Sequence, residues 1–179
     1  MKSIIISAFI TIGTSISCYS LCSAQSACDS IKKENAYLRK ALNLNEPIKE
    51  VQKGDLTFSI VKVTGDIKEQ AVTIEVFIKN TGKNLESFGS KVQSISDLNG
   101  NVYQLDAAYV GNEKVYGSMF SKLFRDAPLK CRYLFKGIEP EVKLIKLFNY
   151  PVQYHVPGTN SFDFVEQSVE FRDFPISWK

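Results

Sequence analysis

The chain has 179 residues, 44% of them hydrophobic and 23% charged, with a net charge of +3. That balance fits a chain able to bury one core and excludes a disordered polar chain and a membrane-spanning helical one. Lys2 is the only charged residue among the first 24, so the rest carries +2, too little for the basic patch that nucleic acid or anionic membrane requires.

Those first residues read as a targeting segment. Lys2 gives a short positive start, positions 4–16 form a mostly apolar run, and Cys22-Ser23-Ala24 sets small residues before a cut at Gln25. The run is shorter than the roughly 20 apolar residues that cross a bilayer, so a secretory signal peptide over 1–24 is favoured over an anchor. Lipidation is the alternative route: Ser17-Cys18 has a small residue before the thiol but lacks the usual Leu three positions upstream of Cys18. Membrane attachment is expected only if that route is taken. The exported chain would then be periplasmic, surface-displayed or secreted.

Residues 25–54 form a helical stalk and a linker. Asp29 or Ser30 can cap a helix, and Ile31, Asn35, Leu38 and Leu42 recur at spacings of four and three. In heptad terms Asn35 takes an a position, the polar residue that fixes register in a two-stranded coil, so weak homo-oligomerisation through this stripe is one expectation. Pro47 ends the helix, and the residues from Glu46 to Gly54 read as a polar linker.

Residues 55–179 read as a folded β domain. Leu56, Phe58 and Ile60 alternate before Val61 and Val63, which marks a strand with a bulge. Thr64-Gly65-Asp66 turns into the strongest strand of the chain. There Val72, Ile74, Val76 and Ile78 alternate with Thr73, Glu75, Phe77 and Lys79, so one face is purely aliphatic and must be covered. Asn80-Thr81-Gly82 ends it. A third strand over 91–97 and a fourth from Val102 are joined by Asn99-Gly100, a strong hairpin signal. Residues 107–117 are ambiguous, with an edge strand as one reading. Ser118 can cap a short helical turn sharing Met119, Phe120, Leu123 and Phe124 on one face, before Pro128 stops it. Strand patterns return over 129–135, 142–148, 162–165 and 169–178, the last at an edge because it holds Pro175. Seven or eight short strands with frequent turns predict an antiparallel two-sheet sandwich, all-β apart from the short N-terminal helix.

The runs Val-Thr-Ile-Glu-Val with Lys-Asn-Thr-Gly (72–82), Ser-Asp-Leu-Asn-Gly-Asn-Val-Tyr (96–103), Ala-Pro-Leu-Lys-Cys-Arg-Tyr-Leu-Phe (127–135), Ile-Lys-Leu-Phe (145–148) and Val-Glu-Phe-Arg-Asp-Phe-Pro-Ile-Ser-Trp (169–178) resemble an immunoglobulin-like β-sandwich module. Modules of this kind are found in secreted proteins and lipoproteins of Gram-negative bacteria. The resemblance covers nearly all of the mature domain and implies the fold; it brings no catalytic residues with it.

Chemistry-bearing constellations are sparse. His155 is the single histidine, and neither Cys131 nor any serine sits in a nucleophile signature that would partner it. After cleavage only Cys28 and Cys131 remain. They can pair in an oxidising compartment, but Cys131 alternates with Tyr133 and Phe135 in a strand, so two free thiols are favoured. Asp97-Leu98-Asn99-Gly100-Asn101 has the opening of a calcium loop, yet Ala108 stands where the bidentate Glu belongs, and a plain hairpin is the better reading. No metal and no cofactor is expected.

Glu139, Glu141, Asp163, Glu166 and Glu170 offer carboxylates for a hydrolase, with no pair singled out. Lys122, Arg125, Lys130, Arg132 and Lys136 read as the solvated side of a strand. Tyr150, Tyr154, Phe162 and Trp178 are the candidate binding platform, for a sugar or a peptide. The expected function is a non-catalytic exported binding or accessory module whose partner is a protein or glycan of the cell envelope. An envelope hydrolase and a self-associating structural protein are the alternatives.

Overall fold

A computed structural model describes residues 46–118, 121–160 and 163–179. The signal-like segment, Cys18, Cys28 and the helical stripe of Ile31, Asn35, Leu38 and Leu42 lie outside the described residues, as does Phe162. The C-terminal compact unit spans Glu46–Lys179.

All regular structure among the described residues is β. The strands are β1 Lys49–Lys53, β2 Leu56–Asp66, β3 Ala71–Asn80, β4 Leu85–Ser90, β5 Ser94–Asp97 and β6 Val102–Val110. They continue with β7 Glu113–Val115, β8 Ser121–Leu123, β9 Leu129–Lys136, β10 Leu144–His155, β11 Phe164–Pro175 and β12 Ser177–Trp178. Pairing is antiparallel throughout apart from β12 on β2 and one isolated bridge between Asn80 and Arg125.

The strands form two layers. One holds β1, β2, β3, β9, the second half of β6, and β7; the other holds β11, β10, β5 with the start of β6, and β4 with β8. β6 passes between them. Its residues Val102–Gln104 pair with β5, and from Leu105 it pairs with β9, with a register shift between Leu105 and Ala107. A bulge bends a strand locally, and here the bend closes one side of the sandwich.

β3 lies inside its sheet, between β2 and β9. Val72, Ile74, Val76 and Ile78 are all 0% exposed, because period-two alternation directs them to the face that the other sheet covers. On β2 the register slips between Ile60 and Lys62, so burial shifts phase from Ile60 to Val63 across the bulge at Val61. Aromatic rings from the two layers meet in the middle: Phe58 lies 5.7 Å from Tyr150, and Tyr133 lies 5.9 Å from Phe148.

Four expectations are corrected. The polar linker over 46–54 contains β1, an edge strand with only Val51 partly covered, so the compact unit begins earlier than residue 55. Leu85–Ser90 is a strand of its own, while the strand expected over 91–97 starts at Ser94. The helical turn expected after Ser118 is β8, with Leu123 buried and Phe124 54% exposed rather than sharing a face. The two strands expected at 162–165 and 169–178 are the single β11, followed by a break at Ile176 and the short β12. β11 pairs only with β10, which leaves Pro175 on an edge as its missing N–H requires.

Candidate functional site

The three platform residues that are described, Tyr150, Tyr154 and Trp178, do not converge. Tyr150 is 0% exposed and belongs to the core, so it is corrected from a surface residue to a packing one. Its hydroxyl lies 2.5 Å from that of Tyr133, which in turn lies 2.8 Å from Ser90 Oγ; a buried phenol needs such a partner, and this chain supplies it. Trp178 is half-buried and lies against Gly65, where a Cβ would fall within its indole ring. Its Nε1 donates to the Val142 carbonyl at 2.7 Å. Tyr154 lines a cleft at the far end of β10 from Val142.

The candidate nucleophile and base are both spoken for. Cys131 is a free, fully buried thiol, and desolvation pushes it up to about 11 despite hydrogen bonding with Tyr133 and Tyr150. His155 Nε2 donates to the Asn160 carbonyl at 2.9 Å, so the ring anchors its own loop. Three of the five basic residues are ion-paired, Arg125 with Asp126 at 3.4 Å, Lys130 with Glu75 at 2.7 Å and Lys136 with Asp106 at 3.2 Å, and Arg132 lies over the Tyr109 ring at 4.9 Å.

What the fold does bring together is an acid-lined cleft of about 640 Å³ where the β5–β6 hairpin meets the β9–β10 connection. Asp97, Tyr103, Glu139, Glu141, Val142 and Lys143 are among its lining. Asp97 is 3% exposed and its carboxylate takes four donors. Oδ1 accepts from the Asn99 and Asn101 amides, each at 2.9 Å, and Oδ2 from Asn101 Nδ2 at 2.8 Å and the Tyr103 hydroxyl at 3.0 Å. Gly100, at φ +84°, supplies the left-handed residue this tight turn needs.

Burial works to raise the Asp97 carboxyl, but the side-chain and backbone bonds of Asn101, with those of Tyr103 and Asn99, outweigh it and hold the group below the usual range. The Tyr103 phenol is pushed up by burial, then by its bond to Asp97 and that charge, with a smaller push from Glu139. The loop that resembled a calcium site thus spends its key carboxylate on its own backbone.

Of the five acids considered for hydrolysis, Glu139 and Glu141 share this cleft, both exposed. Glu166 is tied to Lys91 at 2.8 Å and Glu170 to Arg172 at 2.6 Å elsewhere on the surface. Sequence reasoning weighed Asp97 only as a metal ligand and missed its structural use. The available signal was the Asp-x-Asn-Gly-Asn spacing, which suits a side chain capping its own turn.

No family model matches the chain, and no curated protein matches it. Solved structures similar to this chain include the following three. The yeast GGA1 GAE domain is 12% identical with a TM-score of 0.40, covering 69% of this chain and 96% of its own. AvmM, which catalyses macrocyclization in alchivemycin A biosynthesis, is 11% identical with a TM-score of 0.41, covering 74% and 96%. An uncharacterized β-sandwich protein from Clostridium difficile 630 is 12% identical with a TM-score of 0.33, covering 71% and 92%. Similarities at this level carry nothing about ligand or activity.

Proposed function

We propose that the chain is a non-catalytic binding or accessory module of the cell envelope, an immunoglobulin-like sandwich exported through residues 1–24, with the acid-lined cleft as its contact face. One observation carries the reading. The buried Asp97 carboxylate fixes the hairpin tip through four bonds, while Glu139 and Glu141 stay exposed beside it in a cleft of about 640 Å³. A rim ordered before binding loses little freedom on binding, so its contacts are retained as affinity. Its exposed acids favour a partner that brings basic or hydroxyl-rich groups.

The hydrolase alternative asks more of the same residues. A general acid of the glycosidase type needs a carboxyl held up, and Asp97 is held down. Cys131 is buried with a thiol at about 11, far from the activated thiolate of a nucleophile. His155 is engaged by its own loop.

The test is co-sedimentation of the purified chain with isolated bacterial envelopes, comparing wild type with Glu139→Lys/Glu141→Lys. Retention that falls about tenfold in the double variant, with an unchanged melting temperature, is the expected outcome. Equal retention of both proteins removes the acid-lined cleft from the account, and release of a hydrolysis product from the envelopes removes the non-catalytic reading.

A further inference from the structure

β10 runs from Leu144 at the acid-lined cleft to His155, and a second cleft of about 430 Å³ opens at this far end. The β1–β2 turn, the β3–β4 connection and the end of β10 meet there, and Asp55, Leu56, Lys83, Leu85, Tyr154 and Val156 line it. The two clefts share no lining residue, so they are separate features.

Tyr154 is held as a fixed plate. Its ring stacks on Phe88, centroids 6.4 Å apart and planes 19° from parallel, and Phe88 is a core residue 1% exposed. Its backbone is paired on both sides, to Phe88 in β4 and to Val165 in β11. An aromatic ring set in place by the core loses little further freedom when a ligand covers it.

The polar groups around that plate are of both signs. Asp55 and Lys83 are exposed, and among the described residues neither side chain makes a hydrogen bond or ion pair. Asp55 and Tyr154 line the same cleft, and burial raises the Tyr154 phenol with the Asp55 charge adding to that push. The backbone is shaped around this acid. A Cβ on Gly82 would collide with the Asp55 carboxylate, and the Thr81 amide donates to the Asp55 carbonyl at 2.9 Å. Asn80 locks the turn, its Nδ2 donating to the Lys83 carbonyl at 2.7 Å and its Oδ1 accepting from the Gly82 amide at 2.9 Å.

A sugar ring offers an apolar C–H face with hydroxyls around its edge, and those hydroxyls both donate and accept. That matches an aromatic plate flanked by a carboxylate acceptor, an ammonium donor and a phenol hydroxyl. A phosphate would meet Asp55, and a wholly apolar ligand would desolvate two charges with no return. The volume lies within the roughly 300–1,000 Å³ of small-ligand sites. We propose that the Tyr154 cleft is a carbohydrate-binding site, taking one sugar ring against Tyr154 with its hydroxyls bonded to Asp55 and Lys83. It stands independently of the acid-lined cleft.

The test is titration of the purified chain with chitotetraose, cellotetraose and maltotetraose, followed by calorimetry and amide chemical shifts. At least one is expected to shift Asp55, Lys83 and Val156, with affinity reduced about tenfold in Tyr154→Ala and unchanged in Lys62→Ala, an exposed β2 residue that lines neither cleft. Tyr154→Ala also removes the ring stacked on Phe88, so Asp55→Asn on the surface is read alongside it and is expected to weaken the same ligand severalfold without changing the melting temperature. Silence from all three oligosaccharides at millimolar concentration overturns the proposal. So does binding indifferent to both Tyr154→Ala and Asp55→Asn, or a cleft that responds to glycylglycine and to none of the sugars.

Discussion

Tyr133 and Tyr150 face each other across the sandwich with their hydroxyls 2.5 Å apart, one on β9 and one on β10, and Ser90 on β4 completes the chain 2.8 Å from Tyr133. All three are buried, so each hydroxyl depends on the next. Tyr150→Phe should destabilise the domain by about 1–3 kcal/mol, the effect of leaving a buried partner short of a bond. The Tyr133→Phe/Tyr150→Phe double variant should lose less than the two single losses combined, because the second change removes a group the first had already stranded. Urea unfolding of the four proteins in a cycle checks this, and strict additivity would mean the hydroxyls are not coupled.

Gly65 and Trp178 make a second dependence. Gly65→Ala puts a methyl group where the indole lies, so Trp178 must shift and its 2.7 Å bond to the Val142 carbonyl must open. About 1–3 kcal/mol of destabilisation is expected, as for other overpacked contacts. Trp178 is the chain's single tryptophan, so its emission reports the site directly; a red shift in Gly65→Ala is expected, and unchanged emission would show that the ring adjusts without exposure.

Acid should weaken the hairpin tip. The Asp97 carboxyl is held below 3.8 in the folded state, so its contribution to stability is fully present above the unfolded value and is lost as pH falls through the lower, folded one. Asp97→Asn should therefore lower stability at pH 7 and flatten its fall between pH 4 and pH 2, as measured by chemical unfolding across that range. A variant as acid-sensitive as wild type there would assign the pH dependence to other carboxylates.

Cys131 should be inert in the native protein. Burial raises its thiol to about 11, so at pH 8 it is both protonated and covered. Ellman's reagent should label it only at the rate of unfolding, and fast labelling in native buffer would contradict its placement.

The interior strand β3 was legible because it obeys one period. Val72 to Ile78 alternate without interruption, and a strand with neighbours on both sides has no reason to depart from that. The Val61 bulge and the Asn99-Gly100 hairpin also carry local signatures that tertiary packing reinforced. Edges were not legible in the same way. β1 is mostly polar because it lies at a sheet edge, and β4 places Leu85 and Phe88 three apart because its pairing with β8 shifts register between them. Tyr150 was misplaced for a related reason: a tyrosine hydroxyl suggests a surface until Tyr133 and Ser90 are known to meet it, and Ser90 is 60 positions away in sequence. The acid-lined cleft needed the β9–β10 connection brought beside the hairpin, a contact no local pattern encodes.

The most direct measurement of the central claim is amide-resolved chemical-shift mapping of the labelled chain titrated with solubilised envelope fractions. The account expects perturbations concentrated at residues 97–103 and 137–144, abolished in Glu139→Lys/Glu141→Lys with the rest of the spectrum unchanged. Perturbations centred on His155 and Cys131, or none at either segment in any fraction, would contradict it.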